Sequence, residues 1–268
     1  MQLVLRPPFD QPWFAQDPFS AVEKLEGKVY RELEGRRTLR FEHEGNGYFV
    51  KIHRGVGWPE IAKNLMSFRM PVIGADNEWH AIARFQELGL DTMTPVAFGS
   101  RGANPARRHS FLITRELAPV IDLEELTRSW GSNPPPPQFR RELIRTLARM
   151  IRVMHEGGVN HRDCYLCHFL IHTPVDYGRP PKLFLIDLHR AQVRHRVPAK
   201  WRIKDLAGIF FSAKHLNIRR PERLLFLGEY YGLPIRELLL SRSGEVSRIE
   251  RKAERILSHH LKHHAASG

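Results

Sequence analysis

The residues able to do chemistry cluster in His161-Arg162-Asp163-Cys164-Tyr165-Leu166-Cys167-His168-Phe169-Leu170. This stretch follows an amphipathic segment that ends in Met154-His155-Glu156-Gly157-Gly158. It precedes a short apolar run, Phe184-Leu185-Ile186, that closes on Asp187. A helix, a glycine break, His-Arg-Asp and then a buried strand tipped by an acid is the layout of a phosphotransferase catalytic loop and its metal-binding acid. Phosphoryl transfer asks the protein for position and charge more than for covalent help. Asp163 is the carboxylate placed to take the proton of an acceptor hydroxyl. Asp187, at the end of its strand, is the candidate ligand for Mg²⁺.

A lone His-Arg-Asp arises by chance, so the upstream elements matter. Lys51 lies between Val50 and Ile52 in Tyr48-Phe49-Val50-Lys51-Ile52-His53 and faces opposite to both. It reads either as an edge lysine whose head reaches solvent or as the lysine that holds ATP phosphates. The second reading needs a glutamate on a following helix, and Glu78 in Asp76-Asn77-Glu78-Trp79-His80-Ala81-Ile82 supplies one. Gly35, followed by Arg36 and Arg37, stands where a glycine-rich loop would cover phosphates, with charge replacing bare amides. At Glu116-Leu117-Ala118-Pro119 the chain leaves its strand-rich part, and backbone groups of Glu116 and Ala118 could hydrogen-bond an adenine edge.

Departures from the protein-kinase pattern narrow the reading. The position five after Asp163, usually an Asn metal ligand, is His168, a softer donor than a carboxamide for Mg²⁺. Asp187 is followed by Leu188-His189 rather than Phe-Gly, and no protein-kinase activation segment is visible. Two other readings of the loop stay open. His161, Cys164, Cys167 and His168 are zinc-type ligands, but zinc usually draws them from two separated knuckles. The Cys-x-x-Cys would need a strand-to-helix turn in a βαβ context to act in redox chemistry.

The elements that must hold these residues change character along the chain. Asp17 caps a short helix with Pro18 at its first position. From Lys28 the texture is strands joined by glycine-bearing turns, an antiparallel meander. Thr94–Gly99 and Ser110–Arg115 add two more strands. An insertion helix over 59–70 carries Ile61, Leu65 and Phe68 as one stripe with Lys63 and Arg69 beside it. It reads as a core helix or as an interfacial flap. In the long helix 138–156, Phe139, Leu143, Leu147, Met150 and Met154 repeat at helical spacing, so its methionines are core. The expected fold is α+β and two-lobed, with a small antiparallel sheet lobe at 1–117 and a helical lobe at 118–268 around the loop 161–170.

At 268 residues the chain can bury a sizeable core. It has no apolar run of membrane-span length and no secretory pattern, which predicts a cytoplasmic protein. Its formal net charge of +13 favours an anionic partner such as acidic lipid headgroups, a phosphorylated saccharide, an acidic protein or nucleic acid. Lys51, Glu78, Asp163 and Asp187 together argue against a mere nucleic-acid-binding module on a decayed kinase fold.

The chain resembles the lipopolysaccharide core heptose I kinases of Gram-negative bacteria, which have a protein-kinase-like fold. The resemblance is densest in Tyr30-Arg31-Glu32-Leu33-Glu34-Gly35-Arg36-Arg37-Thr38, Tyr48–His53, Glu60-Ile61-Ala62-Lys63-Asn64-Leu65, Pro71-Val72-Ile73-Gly74-Ala75, Asn160–Leu170 and Ile186-Asp187-Leu188-His189-Arg190-Ala191. It implies transfer of the ATP γ-phosphate, with Mg²⁺, to the first heptose of the inner core, built on lipid A at the cytoplasmic face of the inner membrane. By position it implies Asp163 as base, Lys51 as phosphate lysine and Asp187 as metal ligand. His168 looks like the family's own residue at its position, so it need not signal a dead enzyme. Acyl carrier protein is an implied partner. The rival readings are a kinase for another small-molecule or protein hydroxyl, and a basic adaptor on a kinase-like fold.

Overall fold

Alternation of apolar and polar residues in Leu39-Arg40-Phe41 and Tyr48–Ile52 demands a sheet with one covered face. In the computed structural model, which describes residues 1–33, 35–55, 57–66 and 74–265, that sheet dominates the first of two units. The first unit comprises Met1–Ala83, Met93–Leu117 and Leu188–Arg190. The second comprises Arg84–Thr92, Ala118–Asp187 and Ala191–Gly268. Among the described residues no helix is long and apolar enough to cross a membrane.

The first unit runs β1 (Gln2–Leu5), α1 (Pro12–Ala15), α2 (Pro18–Glu23), β2 (Lys28–Leu33), β3 (Arg36–His43), β4 (Asn46–His53) and α3 (Gly57–Met66). Next come α4 (Asp76–Glu87), whose residues to Ala83 belong here, then β5 (Pro95–Arg101) and β6 (His109–Arg115). The strands form one antiparallel sheet in the order β1-β5-β6-β4-β3-β2. Strand β1 was not legible as a strand: its four residues have no turn signal, and it is a half-exposed edge paired only with β5.

Register decides which side chains share a face. Leu39 opposes Val50 and Phe41 opposes Tyr48. These four, with Ile52, are fully or almost fully buried against Phe9, Phe14, Phe19 and Val22 of the N-terminal segment. Phe14 meets Phe9 and Phe111 edge-on at 5.2 and 5.9 Å between ring centres. Asp17 caps α2 by accepting from the Ser20 amide at 3.2 Å. The N-terminal segment thus covers the apolar face, and Lys51 stands on the other, with Thr38 and Leu112 as its cross-strand neighbours. The insertion helix is described only for Gly57–Met66, where Trp58 and Met66 are exposed. The stripe and its cations (the Ile61, Lys63 and Leu65 side chains, with Phe68 and Arg69) lie outside the described residues, as do Glu34 and the string Pro71-Val72-Ile73.

The second unit is mostly helical. It contains β7 (Val120–Asp122), α5 (Leu123–Thr127), α6 (Pro137–Glu156), β8 (Val159–Asn160), β9 (Phe169–His172), β10 (Phe184–Leu185) and β11 (Gln192–Val193). They are followed by α7 (Ala199–Ser212), α8 (Arg220–Tyr231), α9 (Ile235–Ser241) and α10 (Ser243–Ala265). Phe139, Leu143, Leu147, Met150 and Met154 form the buried stripe of α6. Two small sheets, β10-β9-β7 and β11-β8, bracket the loop that carries Asp163. Gly158, just after α6, has φ +84°, and a Cβ there would come within 1.9 Å of the Arg194 carbonyl oxygen. The turn into β8 therefore requires glycine.

Replacing Phe14 by Ala removes a side chain with no solvent exposure from the aromatic cluster. The expected loss is about 3–5 kcal/mol of stability, read by urea unfolding. A loss below about 1 kcal/mol would show that the N-terminal segment is dispensable to the sheet.

Candidate functional site

In the first unit, Lys51 on β4 and Glu78 in the first turn of α4 meet directly. Lys51 Nζ lies 2.8 Å from Glu78 Oε1 and 3.1 Å from Oε2. Glu78 is 1 % exposed, so its charge depends on the lysine for compensation. Trp79 stacks on Phe98 at 4.8 Å, which fixes the start of α4. Gly35, with φ +76°, turns the chain from β2 into β3, and its carbonyl accepts from the Arg54 amide at 2.8 Å. Arg36 opens β3 opposite His53. Burial first, then Arg36 and Lys51, push the His53 imidazole down to about 3, so it adds no charge beside them.

Glu116 is engaged twice in the same unit. Its carboxylate accepts from Arg40 at 2.7 Å, and its amide donates to the Gly47 carbonyl at 2.9 Å. Only its own carbonyl then remains for an adenine amino group. Ala118, the first residue of the next segment of the second unit, is exposed.

In the second unit, the loop is built on Asp205 of α7, which is completely buried. Its carboxylate accepts from the His161 amide at 2.7 Å, from the Arg162 amide at 2.8 Å and from His155 Nε2 at 3.2 Å. Burial pushes the Tyr230 phenol well up. It therefore stays protonated and donates to His155 Nδ1 at 2.8 Å, leaving the His155 proton on Nε2 for Asp205. Arg162 has φ +76°, outside the range side-chain-bearing residues prefer, and the paired amides hold it there. The α7 surface is thinned at Gly208, where a Cβ would come within 2.4 Å of the Cys164 carbonyl oxygen. The adjacent Ser212 hydroxyl accepts from the Leu166 amide at 3.1 Å.

On this frame the candidate residues fall close together. His161 Nε2 donates to the Ile186 carbonyl at 2.9 Å, and its Nδ1 accepts from the Asp163 amide at 3.3 Å. Burial holds this imidazole below its ordinary pKa, so it is a neutral strut between the loop and the segment that leads from β10 to Asp187. His168 Nδ1 donates to the Asp163 carbonyl at 2.7 Å, since a carbonyl can only accept. That leaves His168 Nε2 facing Asp187 Oδ2 at 3.7 Å. Asp163 itself has Lys204 Nζ at 3.7 Å from Oδ1.

A metal-ligating histidine commonly donates its second ring N–H to a carbonyl, as His168 does here. Mg²⁺ binds through one or two carboxylates and keeps water and substrate phosphates as its other ligands. Asp187 with His168 is compatible with that sparse donor set. Among the described residues, no group of three or more His, Cys, Asp and Glu side chains is placed to hold a metal alone. Cys164 is buried and Cys167 half-buried, both as free thiols. Burial pushes Cys167 up to about 11 and raises Cys164 well above its usual value.

Two features were not legible in the sequence. The Tyr230–His155 support for Asp205 joins residues far apart in the chain, and nothing local marks them. Trp201 gathers Arg162, Arg194, Lys200 and Lys204 around its ring. The run of cations in this segment is visible in sequence, but its convergence on one indole is not.

Comparison with known proteins gives the same direction at every level. The model of the lipopolysaccharide kinase (Kdo/WaaP) family matches residues 20–230. The lipopolysaccharide core heptose(I) kinase WaaP of Pseudomonas aeruginosa is 54% identical over 257 residues, covering 96% of each chain. The WaaP of Escherichia coli is 49% identical over 253 residues, covering 94% of this chain and 96% of its own. A solved structure of WaaP in complex with acyl carrier protein superposes with a TM-score of 0.83 at 51% identity, covering 95% of this chain and 99% of the other.

Replacing Asp205 by Ala leaves the His161 and Arg162 amides without their buried acceptor, at about 1–3 kcal/mol each. We expect a lowered unfolding midpoint and faster hydrogen exchange at those two amides in the folded protein. Unchanged exchange there would mean that the loop holds its shape without the carboxylate.

Proposed function

The chain belongs to the lipopolysaccharide kinase (Kdo/WaaP) family, and from that premise we propose that it transfers the γ-phosphate of ATP to the first heptose of the lipopolysaccharide inner core. The single observation that supports the reading most is the second unit's loop. There a His-Arg-Asp tripeptide hangs by two amides from a buried carboxylate, with an acid-ended strand tied to it through His161.

We assign the roles as follows. Asp163 accepts the proton of the acceptor hydroxyl as the hydroxyl oxygen attacks, with Lys204 Nζ 3.7 Å from its Oδ1. Lys51, oriented by Glu78, neutralises ATP phosphate charge. Arg36 adds positive charge at the turn after Gly35. The Glu116 carbonyl and the Ala118 backbone are assigned to the adenine edge. Asp187, with His168, would hold Mg²⁺, which when bound neutralises phosphate charge and aligns the transferred group.

The acceptor is joined to lipid A, so the protein works at the cytoplasmic face of the inner membrane, and its +13 charge suits that anionic surface. Acyl carrier protein, the partner in the solved WaaP complex, is a proposed partner here too. The experiment that tests the whole reading is mass spectrometry of core oligosaccharide from cells with and without the gene. Unchanged heptose phosphorylation would remove it.

Asp163→Ala should slow transfer about 10²–10⁴-fold while ATP binding stays near wild type. Near-wild-type turnover would refute Asp163 as base. For Lys51 and Glu78, Lys51→Met and Glu78→Gln should each slow transfer. The double variant should be far less than additively worse. Full additivity in that cycle would show that the two act independently.

A further inference from the structure

We propose that Trp201 and the cations around it form the subsite that receives an anionic group of the acceptor saccharide, a carboxylate or a phosphate. The inference rests on the kinase reading above for its acceptor, and on geometry within the second unit for everything else.

Trp201 lies in the first turn of α7. Its ring centre has Arg162 Cζ at 5.1 Å, Lys200 Nζ at 5.4 Å, Lys204 Nζ at 5.9 Å and Arg194 Cζ at 6.0 Å. The face of an indole attracts a cation, so one such neighbour would need no further account. Four is different, because each repels the other three and that repulsion grows as water is excluded. Asp163 meets Lys204 at 3.7 Å, but residues 194–204, Arg-His-Arg-Val-Pro-Ala-Lys-Trp-Arg-Ile-Lys, themselves contain no Asp or Glu. Arg194 donates to the neutral Gln192 side chain at 2.6 Å. Among the described residues, neither Arg194 nor Lys200 has a carboxylate within 4.0 Å, and both are exposed. A fold that gathers four cations on one indole and leaves two of them, Arg194 and Lys200, open to solvent is prepared for an anion from outside.

The place of the cluster says what kind of anion. Lys204 joins it to the candidate base, with Nζ 3.7 Å from Asp163 Oδ1 and 5.9 Å from the Trp201 ring centre. A group held by Arg194 and Lys200 therefore sits near the acceptor hydroxyl and belongs to the same molecule. Guanidinium and ammonium groups of this kind suit carboxylate and phosphate oxygens alike, the guanidinium through paired N–H donors. Binding the anionic substituent would orient the neutral hydroxyl toward Asp163 and reject uncharged sugars that present a similar hydroxyl. Arg194 and Lys200 are thus specificity-determining residues.

The test uses Arg194→Ala, Lys200→Ala and the double variant, with purified core oligosaccharide as acceptor. Acceptor KM should rise about tenfold per substitution, the scale of a lost hydrogen bond to a charged group. The KM for ATP and the melting temperature should stay near wild type. Two treated acceptors separate the sources of charge, one with its carboxyl groups reduced to alcohols and one dephosphorylated. The treatment that erases the difference between wild type and variants identifies the group bound. Calorimetric binding of the same saccharide to each protein supplies a readout that needs no turnover. Unchanged acceptor KM and affinity in both variants would overturn the subsite. So would a lowered melting temperature with unchanged affinity, which would make the cations a cover for the indole. A wild type that binds the saccharide but does not phosphorylate it, with binding lost in the variants, would keep the subsite and refute the proposed activity. A wild type that does not bind it would overturn the subsite directly.

Discussion

The second unit depends on one carboxylate with no access to water. Asp205 takes two amide hydrogens from the residues immediately before Asp163 and one hydrogen from His155. Burying a charge is costly unless several donors surround it, and here each donor has its own fixed source. Two come from the backbone of the loop and one from a histidine oriented by a tyrosine. The cost is offset only when all are in place, so the loop has one permitted shape. The unfavourable φ of Arg162 is tolerated for the same reason: the amide that must point at Asp205 dictates the backbone angle. The position of the backbone leading to Asp163 is thus set by Asp205.

Much of this was legible in the sequence because the relevant signals are local. The meander over β2, β3 and β4 follows from alternation and turns, and the stripe of α6 from helical spacing. Strand β1 escaped notice because an edge strand of four residues is specified by its partner. The Lys51–Glu78 contact could be anticipated because a phosphate-holding lysine calls for a glutamate on a following helix. The pair His155 and Tyr230 could not be anticipated, since a histidine at the end of a helix and a tyrosine in another helix carry no mark of each other. The adenine-edge assignment also changed in detail. Residues near the end of β6 offer two backbone groups each in sequence, and the ladder takes the Glu116 amide for Gly47.

The high net charge reads differently once its distribution is seen. Part is internal to the fold, as in Arg40 with Glu116 or Arg140 with Glu222, where the guanidinium closes a packing contact. Part converges on Trp201, where the indole lets several cations approach without a carboxylate for each. A count of charges cannot separate these, because pairing is a property of the folded chain. The N-terminal segment makes the same point for apolar residues. Its phenylalanines look unremarkable in sequence, yet they cover the sheet face behind Lys51.

The two thiols beside Asp163 have a consequence for how the protein lives with oxidants. Thiolate, not thiol, is the species that electrophiles and peroxides attack. With a pKa of about 11, Cys167 is ionised to only about one part in 10⁴ at neutral pH, and the wholly buried Cys164 less still. A Cys-x-x-Cys sequence four residues long would ordinarily invite alkylation or a strained internal bridge. Burial keeps both of these thiols largely protonated, so the pair is a poor target for electrophiles despite its spacing.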